Sequence, residues 1–140
     1  MGYTHYYQFH SVPTEKAFMR FSAGVLQLVK ASNAKILGET LDDSFTFNGV
    51  GEEAHEDFSI SRTDLHWGFC KTAGKPYDEV VTASLILARY LFDDFSLSSD
   101  GSWDEWQDGR DLFKRVIFLE PSEGTVFGKQ DHLYPARSLA

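Results

Sequence analysis

Residues Phe69–Phe92 read FCKTAGKPYDEVVTASLILARYLF, and the layout of the chain follows from them. A polar loop holding the only cysteine, two lysines and a Lys-Pro-Tyr-Asp turn runs into the most apolar helix of the sequence. Pro76 suits a first helical position, where the missing N–H would have had no partner. Asp78 and Glu79 then sit at the positive end of the helix dipole. Tyr77, Val81, Ser84, Leu85, Ala88, Leu91 and Phe92 share one stripe, and Val80 and Leu87 widen it. The spacing therefore predicts a helix from about Pro76 to Phe92, buried around much of its circumference.

On the N-terminal side, YTHYYQF (Tyr3–Phe9) is rich in aromatic residues and reads as a strand. Alternation places Tyr3, His5, Tyr7 and Phe9 on one face and Thr4, Tyr6 and Gln8 on the other. A helix follows to about Lys30, with Phe18, Phe21, Val25, Leu28 and Val29 on its inner stripe and Ser11 or Thr14 as cap. Three short extended pieces come next, at Lys35–Leu37, Ser44–Asn48 and Asp57–Arg62. Leu65–Phe69 is a candidate for one more. Beyond the central helix, FSLSS (Phe95–Ser99) alternates as a strand. Ser102 with Glu105 forms a capping box that opens a helix to about Phe118, with Trp106, Phe113, Val116 and Ile117 inward. The order β-α-β-β-β-α-β-α predicts an α+β domain over residues 1–120: an antiparallel or mixed sheet with about three helices packed on it. Residues 121–140 mix Gly, Pro and polar residues and are expected to form a tail, or an arm packed on the domain or on a second subunit.

The chain has 140 residues with 42% hydrophobic content, enough for one core without staples. Its net charge of -8 argues against a nucleic-acid partner, since phosphate-binding proteins carry a basic footprint. The same charge opens the possibility of mimicking DNA. A single cysteine excludes an intrachain disulfide and fits a reducing compartment. The apolar run in the central helix is interrupted by Thr82, Ser84 and Arg89, too short to span a bilayer. With no signal segment at the N-terminus, the expected location is the cytosol.

No metal and no cofactor is expected. His5, His10, His55, His66 and His132 form no pair at helical ligand spacing, and one cysteine cannot build a structural zinc site. Asp100-x-Ser102-x-Asp104 has the start of a calcium loop, but Glu105 stands where that loop needs glycine. Cys70 is a candidate nucleophile if Lys71 or Lys75 lowers its pKa and His55 or His66 serves as base; the plainer reading is a small buried hydrophobe. Lys71, Thr72 and Lys75 before the central helix, with the N–H groups of its first turn, form a candidate anion site. The plainer reading there is a solvated cap. Tyr3, His5, Tyr6, Tyr7, Trp67, Trp103 and Trp106 have the flat faces and polar edges used to stack on a base or grip a partner, and Trp103 is expected to be the exposed one.

Four pieces, MGYTHY, FNGVGEEAHEDFSISR, FCKTAGKPYDEVVTASLI and SSDGSWDEWQDG, together resemble a family of small proteins spread through tailed bacteriophages and bacterial prophages. The resemblance covers about Met1 to Phe118, with Tyr7 where the family usually has Trp. It supplies a setting rather than a mechanism: accessory phage proteins that act against host defences. Three functions fit that setting. The leading one is a non-enzymatic protein that sequesters a small anionic, nucleotide-like signal. Its expected contacts are Lys71, Thr72, Lys75 and the helix start for phosphate, and Tyr3, His5, Tyr6, Asn48, His55 and Trp103 around base or sugar, with Tyr77 and Asp100 completing the set. The second is an acidic inhibitor or DNA mimic that blocks a host defence protein through Asp93, Asp94, Asp100, Asp104, Glu105, Asp108 and Asp111. The third is a small nucleotide-processing enzyme built on Cys70 and a histidine. A homo-oligomer is compatible with each.

Overall fold

The computed structural model describes residues 3–128. Its elements are β1 (Thr4–Phe9), α1 (Glu15–Ala31), β2 (Leu37–Leu41), β3 (Ser44–Asn48), β4 (Phe58–Ser61), β5 (Gly68–Lys71), α2 (Asp78–Leu91), β6 (Phe95–Ser99), α3 (Gln107–Ile117) and α4 (Glu123–Phe127). Short 3₁₀ turns occupy Gly51–Glu53 and Asp104–Trp106. The protein is an α+β domain with entirely antiparallel strand pairing. The strands divide into two three-stranded sheets, ordered β5-β1-β6 and β2-β3-β4, rather than one. Where they approach, the Glu56 N–H donates to the Lys71 carbonyl at 3.2 Å, and the Tyr7 hydroxyl donates to the Ser59 carbonyl at 2.8 Å.

Both sheets contribute one face to a common core. Tyr7, Phe9 and Phe95 come from the first, and Phe45, Phe47, Phe58 and Ile60 from the second. α2 is the centre of that core: every residue from Val80 to Arg89 is buried, with α1 and α3 packed along it. Gly109 lets α3 come close, because a Cβ there would lie 1.8 Å from Thr82 Oγ1. Thr14 caps α1 by accepting from the Ala17 N–H. Ser102 and Glu105 form the expected capping box, each side chain accepting from the other's backbone N–H.

The chain beyond Glu120 stays on the domain as far as it is described. Val126 is fully buried, and Phe127 meets Trp103 and Trp106 edge-on. Arg89, buried within α2, donates to the carbonyls of Val126, Thr125 and Gly128 and so holds α4 against the helix. Such a guanidinium is tolerable in a core only because carbonyl oxygens take its donors. The rest of the expected arm lies outside the described residues. No helix among the described residues is long and apolar enough to cross a membrane.

Candidate functional site

β1 lies between β5 and β6, and its alternation sends two sets of side chains to opposite sides. On the inner side His5 is fully buried. Its Nδ1 lies 2.7 Å from Ser99 Oγ and its Nε2 lies 2.7 Å from Asp78 Oδ1. Ser99 Oγ also accepts from the Gly101 N–H and from Trp106 Nε1–H. With both lone pairs engaged, the serine gives its hydrogen to His5 Nδ1, which leaves the ring proton on Nε2 facing Asp78. Asp78 Oδ1 further accepts from the Thr72 hydroxyl at 2.6 Å. The chain Ser99–His5–Asp78–Thr72 thus ties β6, β1, α2 and the loop before α2 together. Ser, His and Asp in series also mark hydrolases, but an oxygen whose lone pairs are taken by two N–H donors is a brace rather than a nucleophile.

This network decides the fate of the expected anion site. Thr72 is spent on Asp78. The N–H groups leading into α2 already bond backward, Lys75 to the Thr72 carbonyl, Asp78 to the Lys75 carbonyl and Glu79 to the Pro76 carbonyl. Among the described residues the ammonium groups of Lys71 and Lys75 have no ion pair or hydrogen bond. Of the expected phosphate cradle, these two cations remain free to meet a ligand.

The other expected ligand residues divide between structural duties and the surface. Tyr77 is fully buried, donates its hydroxyl to the Glu56 carbonyl at 2.6 Å, and is held well above the usual phenol range by burial. Tyr3 packs edge-on against His5. Asn48 organises its own loop, donating to the His55 carbonyl and to Asp57 while accepting from the N–H groups of Gly49 and His55. His55 is exposed, with Nδ1 2.7 Å from the Lys71 carbonyl. Asp100 closes the end of the first sheet, accepting from the Thr4 N–H and from the Tyr6 hydroxyl. Trp103 is half-buried rather than open, because Arg110 lies 4.4 Å over its ring and Phe127 packs edge-on against it. Cys70 is fully buried, and burial pushes its thiol up to about 12. It carries essentially no thiolate at neutral pH. Among the described residues no three His, Cys, Asp or Glu side chains converge as a metal site would need.

The outer face of β5-β1-β6 is different. Register puts Tyr6 opposite Phe69 on one side and Ser98 on the other. Trp67 stacks on Tyr6 with centroids 5.4 Å apart and planes at 19°, and meets Phe69 at 5.3 Å. Trp67 is 58% and Phe69 51% exposed. A shallow hollow of about 150 Å³ beside these rings is lined by Tyr6, Tyr7, Trp67, Ser96, Leu97 and Ser98. Lys71 shares the face by alternation with Phe69. Phe69 was absent from the residues expected to bind; its signal was its parity, which opposes Cys70 and matches Lys71. No protein-family model, curated protein or solved structure matches the chain.

Proposed function

We propose that this is a non-enzymatic binding protein that holds a flat, anionic, nucleotide-like molecule on the outer face of β5-β1-β6. The observation that carries this reading is the ring cluster in which exposed Trp67 and Phe69 gather beside half-buried Tyr6. Burying large aromatic rings is normally favourable, and three of them grouped on the open face of a small sheet imply a surface that something covers. The hollow beside Tyr6 and Trp67 has the volume of one ring system, and the Ser96 and Ser98 hydroxyls offer polar contacts at its edge. Lys71, on the same face, supplies the cation for a phosphate. This keeps the ligand class expected from the sequence and moves its seat from the start of α2 to the sheet. The resemblance to phage proteins supplies the setting, sequestration of a nucleotide signal in the host cytoplasm.

The test is a titration with AMP and with a cyclic dinucleotide, read by calorimetry and by tryptophan fluorescence. Trp67 is the most exposed of the three tryptophans, so a ligand on this face should quench it first. Trp67→Ala should weaken binding by about 1–3 kcal/mol, the usual worth of one stacked base. Lys71→Ala should weaken AMP and leave adenosine unchanged. Saturable binding that ignores both substitutions would place the ligand elsewhere, and no heat or quenching at millimolar nucleotide would remove the reading.

A second reading, an acidic inhibitor or DNA mimic, is favoured by one observation. Asp104, Asp108 and Asp111 are all exposed and fall at helical spacing along one side of the 3₁₀ turn and α3. It predicts capture of a host protein that weakens steeply with added salt and is indifferent to Trp67→Ala.

A further inference from the structure

The second sheet ends in a strand with unusual freedom. All five residues of β2, LGETL, are exposed. β2 pairs with β3 along one edge only. The groups on its other edge have no hydrogen-bond partner among the described residues. Natural edge strands are usually protected by a bulge, a proline, charged side chains or a covering loop. β2 runs in unbroken register from Leu37↔Asn48 to Leu41↔Ser44, contains neither proline nor lysine, and carries Glu39 as its one charge. Gly38 and Thr40 face Phe47 and Phe45 on the core side. Leu37, Glu39 and Leu41 therefore form the outward row, with Leu37 70% and Leu41 60% exposed. Beside that row a hollow of about 310 Å³ is lined by Leu37, Gly38, Glu39, Thr46, Phe47 and Asp57. It has two carboxylates. Asp57 uses Oδ1 on the Asn48 amide, and Glu39 has no hydrogen bond or ion pair among the described residues. Lys35, the nearest basic residue in sequence, comes before the strand begins.

We infer that β2 is a docking edge for an extended, basic segment of a partner protein, added as a fourth strand to β2-β3-β4. Backbone pairing along the free edge supplies the register, and side chains at alternate positions supply the selectivity. An added strand places every second residue beside Leu37, Glu39 and Leu41. The complementary pattern is thus apolar, any, Arg or Lys, any, apolar, with the cation against Glu39. The charges also discriminate between occupants. A second copy of the chain centred on the same edge in antiparallel register would set Glu39 against Glu39, and like charges directly opposite are destabilising. This site is independent of the aromatic face of the first sheet.

The probes are two blocked peptides, TVTRTVT and its counterpart TVTETVT, added to the full-length protein. The arginine peptide should bind, slow amide exchange at Gly38 and Thr40, and lose about tenfold or more in affinity with Glu39→Lys, an exposed position where stability should stay unchanged. The glutamate peptide should bind far more weakly to the native protein and regain affinity with Glu39→Lys. Equal affinity for the two peptides, indifference to Glu39→Lys, or protection confined to other strands would each overturn the assignment. A concentration-dependent dimer that protects the β2 amides without peptide would also overturn it, in favour of a second copy as the occupant.

Discussion

β1 and β2 are both short strands in three-stranded antiparallel sheets, and they have opposite lives. β1 is central, with His5 fully buried and Phe9 at 3% exposure. β2 is an edge, with every residue exposed. Both alternate, so pleat alone does not separate them. The difference lies in what the core-facing row carries. In β1 that row is His5, Tyr7 and Phe9, large groups that fill space under α2 and tie the sheet to it. In β2 it is Gly38 and Thr40, which leave the filling to Phe45 and Phe47 of β3. Apolar volume pulls a strand inward, and a strand without it stays at the rim, where its backbone is available to others.

The widest separation between the two strands should appear on truncation. Phe9→Ala removes a ring packed against Phe92 and Phe95 and should cost about 3–5 kcal/mol in denaturant unfolding. Leu37→Ala in β2 should cost less than about 0.5 kcal/mol, as exposed substitutions do. A large effect of Leu37→Ala in the isolated protein would mean that β2 is already covered. Next in size is His5→Ala, which strands Ser99 and Asp78 in a half-buried site; losses of roughly 1–3 kcal/mol attach to each buried group left unpaired. His5→Asn, which can still bridge two partners, should recover part of the loss, and no recovery would argue that ring packing against Tyr3 and Trp106 matters more than the hydrogen bonds.

A third contrast is with pH. Cys70 on β5 faces the core, and its folded pKa of about 12 lies above the ordinary 9.0. Between those values the unfolded chain has lost the proton and the folded chain retains it. The thiol therefore has no effect on stability well below pH 9 and lowers it progressively as pH rises toward 12. Tyr7, also raised chiefly by burial, adds to the loss with the same sign. Denaturant midpoints measured across this range should fall, and Cys70→Ala should make the fall shallower. An unchanged slope in that variant would assign the alkaline loss to the tyrosines. The smallest expected effect is at Ser84, whose Oγ is buried in α2 with no hydrogen-bond partner among the described residues. Ser84→Ala should be neutral or slightly stabilising, within about 0.5 kcal/mol by unfolding, because it removes an uncompensated polar atom and favours helix.

Much of this architecture is legible in the sequence. The breadth of apolar residues from Val80 to Phe92 predicts a helix buried around much of its circumference, and in α2 every residue from Val80 to Arg89 is buried. Parity assigned His5, Tyr7 and Phe9 to one face and Tyr6 to the other, and Ser102 with Glu105 announced their capping box. The candidate site was read less well. Asp78 looked like a residue placed for the helix dipole, and it is the acceptor for His5 and Thr72. Thr72 looked like a ligand contact, and it is held by Asp78. Trp103 looked exposed until Phe127 and Arg110 came against it. In each case the deciding partner is distant in sequence or on a different element, where local spacing carries no information.

What the sequence by itself determined was local and periodic: which segments form helix or strand, which side chains share a face, which helix is central, and that a single cysteine forms no intrachain disulfide. Those properties depend on backbone geometry and on spacings of a few residues. Only the tertiary structure decided that the strands form two sheets, that β1 sits between β5 and β6, that Trp67 and Phe69 gather with Tyr6 on the outer face while Cys70 and Tyr77 are enclosed, and that one edge of β2 has no backbone partner among the described residues. Neighbours across a sheet are chosen by the joint packing of segments many tens of residues apart, and that competition for the core is settled only when the whole chain folds.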